Sequence, residues 1–195
     1  MQPVTIITGR MTPLDRADVD TDQIMPKQFL KRIERTGFGE FVFHDWRDDP
    51  QFVLNDERYD GANVLVTGPN FGSGSSREHA PWGLQQYGFD AIIAPSFADI
   101  FRNNCAKIGL LTVILPAERC RALVALATED PGADIRIDLP QQTVVTSLGT
   151  DRFEIDAHTK HLLVAGLDTI DLTLERDEQI ADFESRRPAY MPAAG

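Results

Sequence analysis

Cysteine is scarce in this sequence: two residues, Cys105 and Cys120, among 195. Two thiols cannot build a disulfide framework, a four-ligand zinc site or an iron–sulfur cluster held by cysteine alone. Basic residues are also in short supply, 19 against 30 acidic ones, for a formal net charge of −11. A field of that sign repels nucleic acid and anionic membrane, although a local basic cluster can still hold a small anion. No apolar run approaches the roughly 18 residues that a membrane-spanning helix needs. The N-terminal MQPVTIITGRMTPLD has no basic start followed by a long apolar stretch, so no signal peptide is expected. What is present is ordinary for a globular chain, 42% hydrophobic and 25% charged, which excludes wholesale disorder. The expectation is a protein of the reducing cytoplasm with neither nucleic acid nor membrane as partner.

The middle of the chain alternates between two periodicities. Apolar, β-branched runs at 62–67 (ANVLVT), 90–94 (DAIIA) and 110–115 read as buried strands. Between them, 77–87 and FADIFRNNCAKIG read as helices stopped by Gly88 and Gly109, and 116–130 as a third helix. Strand and helix in alternation predict a mostly parallel sheet with right-handed crossovers. Ahead of this block, Val4–Thr8 reads as a strand. The polar stretch 12–23, with Asp15, Asp18, Asp20 and Asp22, reads as loop, and Pro26 opens a short helical piece broken near Gly37 and Gly39. HDWRDDPQF reads as surface loop. After Pro131, IRIDL, TVVTSL and RFEIDA predict a three-stranded meander, and LERDEQIADFESRRP an exposed amphipathic helix. The fold class expected is one α/β domain, residues 1–195, with a helical tail from about 168.

Asn70 to His79, NFGSGSSREH, is the stretch most suggestive of chemistry. It joins a strand to a helix, its glycines permit φ > 0, and Ser75, Ser76 and Arg77 supply hydroxyls and a planar fork for a carboxylate. Successive N–H groups beside a helix start would make an anion site. The competing reading is a tight turn with a serine cap and Glu78 supporting the first helical turn. Better-known motifs fail on spacing. No Lys follows the glycines as a P-loop requires, G-x-S-x-G is absent, the third glycine of G-x-G-x-x-G is replaced by Arg77, and Glu78-His79 is not H-E-x-x-H.

NFGSGSSREHAPWGL (70–84), DVDTDQIMPKQFL (18–30), APSFADIFRNNCAKIGLL (94–111), GLDTIDLTL (166–174) and the ending RRPAYMP together resemble the small subunit of 3-isopropylmalate dehydratase, also called isopropylmalate isomerase. The resemblance covers nearly the whole chain. GSSREH is shared with the wider aconitase superfamily, whereas HAPWGL and Asp45-Trp46-Arg47 point to the leucine-pathway small subunit. One departure is Ser73, where close relatives usually carry cysteine; the cluster cysteines belong to the other subunit, so the assignment is unaffected.

The resemblance implies a swivelling β/β/α domain similar to the C-terminal domain of aconitase. It implies a hydro-lyase that interconverts 2-isopropylmalate and 3-isopropylmalate through isopropylmaleate in leucine biosynthesis, active as a heterodimer with a large subunit. The cofactor, a [4Fe–4S] cluster, is expected in that large partner; no cofactor or metal ligand is expected in this chain. By the same resemblance Ser75 is the catalytic base, acting as an alkoxide that the N–H groups, the helix dipole and Arg77 would stabilise. Ser76 and Arg77 hold a substrate carboxylate. Asp20, Thr21 and Asp22 match the family's D-T-D and shape the substrate entrance. The segment 29–39 discriminates substrates, with Leu30 or Ile33 against the isopropyl group. The plainer readings stand beside these: Ser75 as a cap or carboxylate binder, the aspartate stretch as a solvated turn, His79 as a structural hydrogen-bonding residue. Two other functions remain open. One is a related hydro-lyase subunit of the homoaconitase or citraconate hydratase type. The other is a non-catalytic module whose loop merely holds an anion.

Overall fold

The computed structural model describes residues 1–31, 36–75, 77–174 and 176–187. Seven strands form one sheet in the order β4-β3-β2-β1-β5-β6-β7. β1 (Ile6–Leu14) joins its two halves. Its first residues pair antiparallel with β5 (Asp134–Asp138), Ile6 opposite Asp138 through Arg10 opposite Asp134. Its last residues pair parallel with β2 (Val64–Thr67), Met11 beside Val64 through Leu14 beside Thr67. The strand therefore runs well past Thr8, where the sequence suggested loop. Thr12 and Leu14 are buried, because β2 supplies ladder partners that no local pattern reveals.

The predicted alternation is present. β3 (Ala91–Ala94) and β4 (Leu111–Ile114) continue the parallel half. α2 (His79–Tyr87) and α3 (Asp99–Ile108) cross between these strands, and α4 (Ala117–Glu129) follows β4. Gly88 at φ +124° and Gly109 at φ +85° end α2 and α3, backbone conformations that side chains disfavour. Every residue of β2 and β3 is buried, as befits strands covered on both faces. Leu65 and Ile92 face a core shared with Phe71, Leu84 and Phe101. Val64, Val66 and Ile93 face a second core with Leu123 and Ala127 of α4 and with Ile135 and Ile137 of β5. Each such side chain contributes about 1.5–3 kcal/mol when fully removed from water.

β6 (Thr143–Thr146) and β7 (Gly149–Arg152) complete the antiparallel half. The third meander strand was expected at 152–157 but lies earlier. Gly149 at φ +112° turns the chain tightly, so Gly149 pairs with Thr146 and Arg152 with Thr143, the first residue of β6. Beyond Arg152 there is no β6 residue left to pair. Asp156 instead caps α5 (Ala157–Ala165), its carboxylate accepting from His158 N–H at 2.8 Å. α6 (Thr169–Leu174) and α7 (Asp177–Ser185) close the described chain.

The segment after Pro26 is not an α-helix but a 3₁₀ run, Lys27–Lys31, followed by further 3₁₀ turns up to Tyr59. Aromatic contacts hold it. Phe29 stacks on Phe41 with centroids 4.1 Å apart, and Phe43 on Trp46 at 5.1 Å. The stretch read as surface loop, 44–52, is partly internal: Phe52 is buried and the Arg16 guanidinium sits over Trp46 at 4.1 Å.

Candidate functional site

The serine loop leaves the C-terminal end of β2 and is fastened on both sides before it reaches α2. On one side Phe71 N–H donates to Ser96 carbonyl at 3.1 Å and Ala98 N–H to Phe71 carbonyl at 3.0 Å. Ser96 Oγ accepts from Asn70 N–H at 2.9 Å. On the other side, Gly72 and Ser73 N–H both donate to Val19 carbonyl, at 2.8 and 3.1 Å, and Thr21 N–H donates to Ser73 carbonyl at 2.8 Å. These fastenings come from Val19 and Ser96, neither of which carries a local signal of such a role. The glycines are obligatory here. Gly72 (φ +78°) lies against the buried Phe101 ring, and Gly74 (φ +88°) against the Asp20 carboxylate, so a Cβ at either would collide.

Ser75 is exposed at the crest of this loop. Its Oγ accepts from Arg77 Nη2 at 3.3 Å, and its carbonyl accepts from Arg77 N–H at 2.8 Å. Ser76 and Ile33 lie outside the described residues. Leu30 is half-buried against the Phe38–Phe71 core at the end of the 3₁₀ run. The geometry revises the expected support for a Ser75 alkoxide. The N–H groups of Gly72 and Ser73 already serve Val19, and α2 begins at His79 rather than Arg77. The positive group at Ser75 Oγ is the Arg77 guanidinium.

The D-T-D residues pack against the loop from below. Asp20 caps α1 (Thr21–Ile24), accepting from Asp22 N–H at 2.7 Å while Gln23 Oε1 accepts from Asp20 N–H at 2.9 Å. Thr21 is 1% exposed and its hydroxyl donates to Ser75 carbonyl at 3.1 Å. The Thr21 side chain is thus engaged by the loop itself. Asp22 forms an ion pair with Arg77, and its other oxygen lies 3.2 Å from Lys27 Nζ.

His79 opens α2 between Phe38 and Trp82, and burial lowers its pKa below the ordinary 6.5, with Arg77 adding to the shift and Glu78 opposing it. Burial also raises both thiols, Cys105 strongly and Cys120 to about 11, so neither is a reactive thiolate. Among the described residues no three His, Cys, Asp or Glu side chains are grouped to hold a metal ion. Depressions of about 650, 860 and 530 Å³ mark the surface, and Ser75 lines none of them. At the candidate site an exposed loop brings the Ser75 hydroxyl beside the Arg77 guanidinium.

Three family models match in succession: the aconitase C-terminal domain over residues 1–118, a model described as LeuD_N over 121–157, and the C-terminal domain of the 3-isopropylmalate dehydratase small subunit over 169–193. The 3-isopropylmalate dehydratase small subunit of Rubrobacter xylanophilus is 55% identical over 192 residues, 98% of each chain. That of Bacillus subtilis is 49% identical over 200 residues, 99% of this chain and 100% of its own. The crystal structure of 3-isopropylmalate dehydratase from Methanocaldococcus jannaschii superposes with a TM-score of 0.64 at 28% identity, covering 91% of this chain and 99% of that one. Full-length identity at this level, joined to the fold, shows that the chain belongs to the family of 3-isopropylmalate dehydratase small subunits within the aconitase superfamily.

Proposed function

We propose that this chain is the small subunit of a hydro-lyase that interconverts 2-isopropylmalate and 3-isopropylmalate through isopropylmaleate, in leucine biosynthesis. The observation that carries the site assignment is the contact of Arg77 Nη2 with the exposed Ser75 Oγ at 3.3 Å. Dehydration requires loss of a weakly acidic proton beside a carboxylate and departure of a hydroxyl. Ser75 Oγ takes the C–H proton as an alkoxide, and the adjacent guanidinium favours its charged form. Arg77, together with Ser76, holds a substrate carboxylate, and Leu30 or Ile33 meets the isopropyl group. On re-addition of water Ser75 returns the proton.

Activation of the leaving hydroxyl is assigned to a large partner protein that holds a [4Fe–4S] cluster, a Lewis acid. This chain's two cysteines are both buried, so its own residues do not fit such a cluster. The open setting of Ser75 suits a site completed by a second surface. We read residues 1–195 as one swivel-like domain with α6 and α7 as its tail, working in the cytoplasm; the free thiols accord with a reducing compartment. Among the described residues no helix is long and apolar enough to cross a membrane.

The test is reconstitution. The purified chain, shown to be folded, is assayed for isopropylmaleate formation before and after addition of a cluster-loaded large subunit of this family, with citraconate and homoaconitate substrates alongside. Turnover of isopropylmalate only on mixing is expected. Turnover by the lone chain, or preference for another substrate, overturns the reading.

A further inference from the structure

We propose that the 20–22 turn is a mould for the serine loop: Asp20, Thr21 and Asp22 are positioning residues that set Ser75 and Arg77 without touching substrate. The inference rests on the reading of Ser75 as base. Charge gives the first argument. An isopropylmalate carries two carboxylates, and the carboxylates of Asp20 and Asp22 would repel them rather than bind them. Both are already engaged by the protein. Asp20 closes the α1 capping box and occupies the space that a side chain at residue 74 would need. Asp22 lies between two cations, Arg77 and Lys27.

Each residue reaches a different part of the loop. The Asp20 carboxylate lies against Gly74, Thr21 binds the backbone of Ser73 and Ser75, and Asp22 holds one arm of the Arg77 guanidinium while the other arm meets Ser75 Oγ. The turn thus fixes the base's backbone and the direction of its cationic neighbour at once. Arg77 is 19% exposed along its side chain, so the pair with Asp22 is partly sheltered from water.

The experiment compares Thr21→Val, Thr21→Ser and Asp22→Asn in the complex with the large subunit, using 3-isopropylmalate. Thr21→Val keeps the shape and removes the hydroxyl; Ser75 carbonyl retains its bond from Arg77 N–H, so the fold is preserved. A positioning role predicts that in Thr21→Val kcat falls, by up to about 10²-fold, while KM scarcely moves, and that in Asp22→Asn, which frees the carboxylate-holding Arg77, kcat falls and KM rises with it. Thr21→Ser restores kcat. A raised KM with kcat intact in Thr21→Val and Asp22→Asn would show direct substrate binding and overturn the proposal. A second readout does not depend on turnover. Phenylglyoxal labelling of Arg77 in the isolated chain, followed by peptide mass mapping, should run severalfold faster in Asp22→Asn than in wild type. An unchanged labelling rate overturns the mould. A wild-type complex inert toward isopropylmalate overturns the assigned function instead, and the labelling still judges the mould.

Discussion

The imidazole of His79 meets the Phe38 ring edge-on, with centroids 5.3 Å apart. Phe38 belongs to the 29–39 segment, and His79 is the first residue of α2, where the serine loop ends. One ring contact therefore ties the far end of the 29–39 segment to the exit of the loop that presents Ser75. Trp82, at 5.0 Å from His79, completes the aromatic setting.

That setting makes stability depend on pH. Burial lowers the pKa of His79 in the fold below the ordinary 6.5, so the unfolded chain binds this proton more readily. The stabilising contribution of neutral His79 is fully present above pH 6.5 and is lost as pH falls through the lower folded value. The melting temperature should fall on acidification from neutrality, and less steeply in His79→Gln. Parallel curves for the two proteins would remove His79 from this role.

Ser75→Ala should leave the fold intact, since the side chain is exposed. In the assembled enzyme it should lower kcat by about 10²–10⁴-fold, the usual cost of losing a general base. Circular dichroism and co-purification with the large subunit establish that assembly is retained. Activity within about tenfold of wild type would fall short of that cost and take Ser75 out of the base role.

Arg77→Lys keeps the charge and loses the fork. The guanidinium spans Asp22 and Ser75 Oγ at once, which a single ammonium cannot reproduce. Raised KM and lowered kcat are expected together in steady-state kinetics. Unchanged constants would mean that Arg77 faces neither the substrate nor the base.

Gly72 and Gly88 separate two penalties. Both have positive φ, +78° and +124°. A Cβ at Gly72 strikes the Phe101 ring, while one at Gly88 has nothing within 4 Å. Gly88→Ala should cost backbone strain alone, about 1–3 kcal/mol, and Gly72→Ala that strain plus overpacking of a similar size. Denaturant midpoints measure both. Equal losses would show that the Phe101 ring yields freely.

The sequence by itself determined the parallel half of the molecule. The runs at β2, β3 and β4 are continuous, apolar and β-branched, and Gly88 and Gly109 mark the ends of α2 and α3, all of it information held within a few neighbouring residues. It also determined the family and singled out Ser75 and Arg77, because an unusual string of glycine, serine and arginine is carried intact over ten positions. Tertiary structure decided what depends on distant partners. β1 runs on to Leu14 because β2 pairs with it, and β7 stops at Arg152 because its partner there, Thr143, is the first residue of β6. α5 at 157–165 carried no periodic pattern strong enough to be read in advance; its hydrophobic residues serve a core assembled from the far half of the sheet. The D-T-D residues show the division most clearly. Their spacing reads as an acidic turn open to solvent or substrate, yet Thr21 is buried and bonded to Ser75, 54 residues away in sequence. No local pattern records such a contact, because its geometry exists only once β1 and β2 lie side by side and bring the two loops together at their C-terminal ends.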